Sequence, residues 1–163
     1  MNGMGSFPEL EVRPIGPGDG ERLRRLFGRL SPDTVYRRFF TLFQAPPPGV
    51  LNYLAAVDHH DHEGLVALDG DEIVAVARWD RPAGGGPEAE VSILVEDAWQ
   101  HRGLGRALMR TLVTEAARRD ITALTADVLT ENGPARRLAT SLARPTGVEL
   151  DGPVTHFTFS LAS

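Results

Sequence analysis

The stretch from residue 91 to 129 constrains the fold of this chain more than any other. Val91-Ser92-Ile93-Leu94-Val95 reads as a strand that enters a four-residue turn, and residues 103–119 read as a long helix opened by a glycine-containing loop. Within that helix Leu104, Leu108, Leu112 and Ala116 recur every four residues, a stripe that must face a core. Residues 121–129 are rich in β-branched and apolar side chains, as in a buried strand. A strand, a one-sided helix and a second strand in succession call for a sheet layered against helices, hence a mixed α/β domain.

The remaining segments extend the same pattern. Leu10, Val12 and Ile15 alternate with polar neighbours as a short first strand, and residues 1–8 before it read as a loose arm with a second Met at Met4. Asp19 is placed to cap a helix in which Leu23, Leu26, Phe27 and Leu30 fall at i, i+3, i+4 and i+7. Ser31 and Pro32 are the cap and first residue of a second helix that carries Val35, Phe39, Phe40 and Phe43. A short helical stretch follows over 49–57. Residues 64–68 and 72–79 flank Asp69-Gly70-Asp71 as a hairpin, and Gly84-Gly85-Gly86-Pro87 turns into a strand at 90–95. Residues 131–142 form a shorter helix, and 148–150 and 154–161 are final strands. The expected order is β-α-α-β-β-β-α-β-α-β-β, in one domain spanning 9–163.

Composition removes several classes of function. At 163 residues, 42% of them hydrophobic, the chain is large enough for one domain with a core, which excludes a largely disordered protein. No cysteine means no disulfide scaffold, no thiolate nucleophile and no Cys-ligated zinc. No apolar run approaches the roughly 18–20 residues that span a bilayer, and the N-terminus lacks a signal-like pattern. The expectation is a cytoplasmic protein without a membrane partner. All 17 basic residues are arginine, against 22 acidic ones, and the net charge of −5 disfavours nucleic acid as a partner.

The loop at 100–106 is the segment with chemistry. A helix start exposes unpaired N–H groups and the positive end of the dipole, so it attracts anions. Gly103 and Gly105 let backbone approach a phosphate with no Cβ in the way, and Arg102, Arg106 and Arg110 add charge. A Walker A loop is impossible without lysine, and G-x-G-x-x-G fails because position 108 is Leu.

Strand, Gln100-His101-Arg102-Gly103-Leu104-Gly105-Arg106 loop and helix together resemble the GNAT superfamily of acyl-CoA-dependent N-acetyltransferases, whose pyrophosphate loop reads Q/R-x-x-G-x-G/A. The resemblance runs from about residue 9 to 161. It implies a single GNAT-type domain, α/β (α+β), with a mixed, mostly antiparallel sheet, a splayed central strand pair and flanking helices. It implies acetyl-CoA as cosubstrate and no metal. Ile93, Leu94 and Val95 would pair with the pantetheine arm, residues 100–106 would hold the pyrophosphate, and Asn132 would lie near the cofactor. Leu30-Ser31-Pro32, Tyr36-Arg37-Arg38-Phe39-Phe40, Val57-Asp58, Ala89-Glu90 and Asp97-Ala98-Trp99-Gln100 resemble more narrowly the GNAT domains of bacterial protein-lysine acetyltransferases. The acceptor implied is then a protein lysine or, by the wider resemblance, a small amine; a homodimer is compatible with either.

An amine must lose a proton before it attacks a thioester, and a lysine amine has a pKa of about 10.4. Glu90, matching the family's glutamate, is the candidate general base, with Glu88 as runner-up. Glu90, Ser92 and Leu94 share one face of their strand and Val91, Ile93 and Val95 the other. The backbone N–H of Leu94 or Val95 would stabilise the oxyanion. The tyrosine that many GNAT enzymes place after the Asn is replaced here by Ala139, and Ala143-Arg144 stands where the family usually has Gly-Phe. These departures keep a CoA-binding sensor as the alternative of another class.

Other eye-catching residues have plainer readings. Asp58-His59-His60-Asp61-His62 is expected as a solvated loop beside the acceptor site rather than a metal centre, with Asp58 free to attract a cation. His101 reads as a loop residue and His156 as part of the last strand. Phe39, Phe40 and Phe43 read as core or pocket wall, and Trp79 and Trp99 as packing anchors.

Overall fold

A computed structural model describes residues 6–41 and 45–161. Its strands are β1 (Leu10–Pro14), β2 (His62–Asp69), β3 (Glu72–Asp80), β4 (Glu88–Val95), β5 (Ala123–Leu129), β6 (Pro145–Asp151) and β7 (Val154–Ser160). The helices are α1 (Gly20–Phe27), α2 (Pro32–Phe39), α3 (Pro48–Ala55), α4 (Leu104–Arg118) and α5 (Gly133–Leu142). The seven strands form one sheet in the order β1-β2-β3-β4-β5-β7-β6. Neighbours run antiparallel except β4 and β5, which are parallel. No helix among the described residues is long and apolar enough to cross a membrane.

Period-two alternation divides the core between the two faces of the sheet. Leu65, Ala67, Ala75 and Ala77 pack with Leu104, Leu108, Leu112 and Ala116 of α4 and with Phe157 and Phe159. Val66, Leu68, Ile73, Val76 and Leu94 point the other way, onto Leu23, Leu26 and Phe27 of α1 and Leu54 of α3. The four-residue stripe of α4 is thus the layer expected of it, buried to 1% exposure or less at all four positions.

Local differences from the sequence pattern have physical causes. Asp19 stands just before α1 but does not cap it. Its carboxylate accepts from Gly16 N at 2.9 Å and from Arg13 at 2.7 and 2.8 Å. α1 ends at Phe27, so Leu30 packs on the core from the following link. Ser31 does cap α2, accepting from Thr34 N at 3.2 Å, with Pro32 in the first turn. Phe40 then adopts a left-handed conformation (φ 59°) that stops α2, so it is not helical; Phe43 lies outside the described residues. The stretch expected at 49–57 is a full helix, α3. Phe7, within the stretch expected to be a loose arm, is buried in the α4-side core; residues 1–5 lie outside the described ones.

Candidate active site

The parallel pair β4/β5 holds together only at its beginning. Glu88, Ala89 and Glu90 are in register with Ala123, Leu124 and Thr125, after which β4 stays with β3 and β5 with β7. The gap between them belongs to a cavity of about 690 Å³ that runs from the loop before α4 to Glu90.

Backbone polarity across that gap follows from two bonds. Glu96 N donates to Val74 O on the β3 side, and Ala123 N donates to Pro87 O on the β5 side. Because successive residues of a strand address opposite neighbours, Val91, Ile93 and Val95 turn their polar groups to the gap and Leu94 turns its own to β3. Of the two N–H groups considered for an oxyanion, Val95 therefore faces the cavity. The Val95 carbonyl accepts from Gln100 Nε2 at 3.0 Å, and the same amide nitrogen lies 3.0 Å from Thr34 Oγ1. Gln100 thereby ties the end of β4 to α2.

The loop reaches α4 through two left-handed residues, His101 (φ 61°) and Gly103 (φ 84°). The opening turn of α4 presents N–H groups with no acceptor inside the helix. The two glycines differ in what they do. Gly103 supplies the backbone conformation, with open space where a Cβ would point. Gly105 is helical and sits against β4 and α5, where a Cβ would lie 3.4 Å from Ile93 Cδ1 and 3.6 Å from Leu138 Cδ2. The absence of a Cβ there lets helix pack close onto strand.

Glu90, Ile93, Leu94, Val95, Gln100, His101, Gly103, Leu104, Gly105, Arg106 and Asn132 all line the cavity. Arg102 does not: its guanidinium lies over the Trp99 ring, 4.2 Å from the centroid. Asn132 is buried at the start of α5 and accepts from Ala135 N at 3.3 Å, so its side chain caps that helix. Ala139 also lines the cavity, and no tyrosine does among the described residues. Glu88 is not part of the lining. Glu96 is buried and paired with Arg29.

Glu90 sits in a charged neighbourhood that the sequence pattern does not disclose. Partial burial, together with Asp127 and Asp80, pushes its carboxyl above the usual glutamate range, and Arg38 opposes the shift. Asp80 is its register partner on β3. Burial would raise Asp80, but Arg78 Nη2 at 2.7 Å, Tyr53 Oη at 2.7 Å and His62 Nδ1 at 2.7 Å hold it below its ordinary value. Burial pushes the Tyr53 hydroxyl up, and its bond to Asp80 adds to this. A neutral Tyr53 therefore stays the donor of that bond. Asp80 could have been found from the β3–β4 hairpin, which sets 80 opposite 90. Nothing local in sequence marks Asp127, because β4 and β5 meet only after a long helical connection.

None of residues 58–62 lines the cavity, although His62 reaches Asp80, the register partner of Glu90. Asp58 Oδ1 accepts from the N–H groups of His60, Asp61 and His62 at 2.8–2.9 Å, which lowers its pKa to about 2. That carboxylate organises its own turn. No group of three or more His, Asp or Glu among the described residues is arranged to hold a metal ion. Trp79 is fully buried as an anchor, with its indole nitrogen unpartnered.

Comparison with known proteins agrees with this architecture. A 129-residue segment, 78% of the chain, is 36% identical to Acetyltransferase Pat of Mycolicibacterium smegmatis, and covers 38% of that longer protein. The GNAT domain of PAT from S. lividans superposes with a TM-score of 0.83 at 32% identity, over 93% of this chain and 90% of that domain. YncA of Salmonella typhimurium, solved with its cofactor acetyl-CoA, shares the fold with a TM-score of 0.74 at 19% identity, over 95% of each chain. Residues 23–143 match the model of the Acetyltransferase (GNAT) family, and the chain belongs to that family.

Proposed function

We propose that the protein transfers an acetyl group from acetyl-CoA to a primary amine by direct attack, with Glu90 as general base. The observation that carries this reading is the split between β4 and β5, which joins a helix-start anion site to a carboxylate of raised pKa within one cavity. The residues present fit a CoA thioester. Ile93 turns its backbone N–H and C=O to the gap, where an extended amide-bearing arm can pair as an added strand. The first turn of α4 and Arg106 suit phosphates. Acetyl-CoA supplies an acetyl group already activated toward amines by its thioester. Glu90 takes the proton that the amine must lose, and the Val95 N–H is free to donate to the carbonyl oxygen under attack. With no tyrosine in the lining, the leaving sulfur departs without a phenolic acid.

The narrower likeness to bacterial protein-lysine acetyltransferases, together with the Pat relatives, supports a protein lysine as acceptor. A thiol-release assay with acetyl-CoA against small amines, lysine peptides and proteins tests the whole reading. Glu90→Gln should lower kcat by about 10²–10⁴-fold while leaving acetyl-CoA binding intact. Because an active base must be ionised and Glu90 is raised, wild-type kcat/KM should fall on acidification at a pH above the usual glutamate range. The variant should lose that limb. Unchanged turnover would remove Glu90 as the base, and CoA binding without turnover on any amine would favour a sensor.

A further inference from the structure

We propose that Asp127 is the second carboxylate of the acceptor site, so that the amine is recognised as an alkylammonium ion held between Asp127 and Glu90. This rests on the amine-acetylation reading above and specifies the form in which the acceptor binds. Glu90 and Thr125 are the last register pair before β4 and β5 separate, so they share a face of the sheet. Period two puts Asp127 on that same face, one step further along β5. Glu90 and Asp127 both line the cavity, from opposite strands of the split. Leu124 and Ala126, on the other face, are buried under α4, whereas Asp127 is accessible.

Two carboxylates on the wall of one cavity repel, and a cation between them relieves that repulsion. An alkylamine of pKa about 10.4 arrives protonated at neutral pH. Asp127 supplies attraction and orientation and exchanges no proton; Glu90 takes the proton that leaves. The remaining charges around Asp127 fit this division. His156 of β7 is its register partner, with Nδ1 hydrogen-bonded to the Asp127 carboxylate and Nε2 3.6 Å from Asp151 Oδ2 on β6. Glu149 of β6 is the register partner of His156. The bond to Asp127, and further the Asp151 contact, raises the His156 pKa. Protonated His156 neutralises Asp127, so the site binds a cation better once that proton is lost. Arg38, on α2, is the cation on the Glu90 side of the cavity.

The experiment measures KM and kcat for two acceptors, Nα-acetyl-lysinamide, which is cationic, and an arylamine that is neutral at pH 7. Asp127→Asn should raise KM for the lysine derivative about tenfold, the size of one lost charge contact at a partly exposed site. The arylamine KM and the acetyl-CoA KM should stay within about twofold, and the acidic limb of kcat/KM should move to lower pH because the Asp127 charge no longer raises Glu90. His156→Gln should lower KM for the lysine derivative at about pH 6 and have no effect once wild-type His156 is deprotonated. A damaged fold cannot tighten binding, so that second variant separates a charge effect from a structural one. An unchanged KM in Asp127→Asn, or a parallel rise for both amines, overturns the inference while leaving acetylation standing. Wild-type protein that acetylates no amine overturns the acetylation reading, and this inference with it.

Discussion

Arg81 shows how much a single guanidinium holds in a chain with no lysine. Its side chain donates to His60 O at 3.3 Å, to Gly86 O at 3.0 Å and to Arg119 O beyond the end of α4, joining three segments distant in sequence. A positive charge there also complements the negative end of the α4 dipole. Lysine carries the same charge on a compact head that cannot span three carbonyls in one plane. Arg81→Lys should therefore lower stability by about 1–2 kcal/mol in a denaturant melt. Arg118→Lys, at an exposed helical pair with Glu115, should move it by less than about 0.5 kcal/mol. Equal effects would show that the fork geometry is irrelevant. At this scale the sequence discloses positions better than partners. Ser31 was legible as a cap because its bond is local, whereas Asp19 occupies an equally good cap position and is taken by Arg13 across the strand. Asp58 likewise looks like a free charge in a polar run, and only the backbone path shows that three N–H groups converge on it.

Among the elements, the loop into α4 is where conformation and function meet. Gly103 and Gly105 look equivalent in the motif, but one has φ 84° and the other lies inside the helix. Alanine at 103 must either adopt a left-handed conformation, at a cost of about 1 kcal/mol, or swing the following N–H groups away from the cavity. Gly103→Ala should lower thermal stability and weaken acetyl-CoA binding about tenfold or more by titration calorimetry, since the aim of the N–H groups is lost. Gly105→Ala gains about 0.5–1 kcal/mol of helix propensity, and its Cβ meets Ile93 at a tolerable 3.4 Å. Its stability should be unchanged or higher. If both variants lose binding equally, Gly105 serves phosphate approach after all. Elements of this kind were legible wherever a start signal stood out, as with the glycine loop and apolar stripe of α4 and the Ser31 cap of α2. The end of α2 was not, because Phe39 and Phe40 are equally apolar and only the left-handed turn at Phe40 marks the stop.

Across the whole molecule, periodicity says which face a residue occupies and nothing about which strand lies beside it. Hence Glu90, Ser92 and Leu94 could be set on one face from periodicity alone, whereas the splaying of β4 from β5 was expected only through the family resemblance and the insertion of β7 between β5 and β6 was not foreseen. Asp127 reaches the site through such a non-local pairing, which is why the loop and Glu90 were visible and Asp127 was not. Arginine supplies all 17 basic side chains, and none of them is a nucleophilic amine at neutral pH. An enzyme that acetylates amines usually offers its own lysines to its own cosubstrate. This chain offers only its α-amino group. Prolonged incubation with acetyl-CoA should therefore add at most one acetyl amide per chain, confined to the N-terminal peptide on mapping, even while an added lysine peptide is fully modified. A lysine introduced at exposed Arg24, which pairs with Glu21 three residues away on α1, should become acetylated in the same incubation while preserving turnover. An acetyl amide elsewhere in the unaltered chain would overturn the argument, since no other side chain here holds an amine that could accept it.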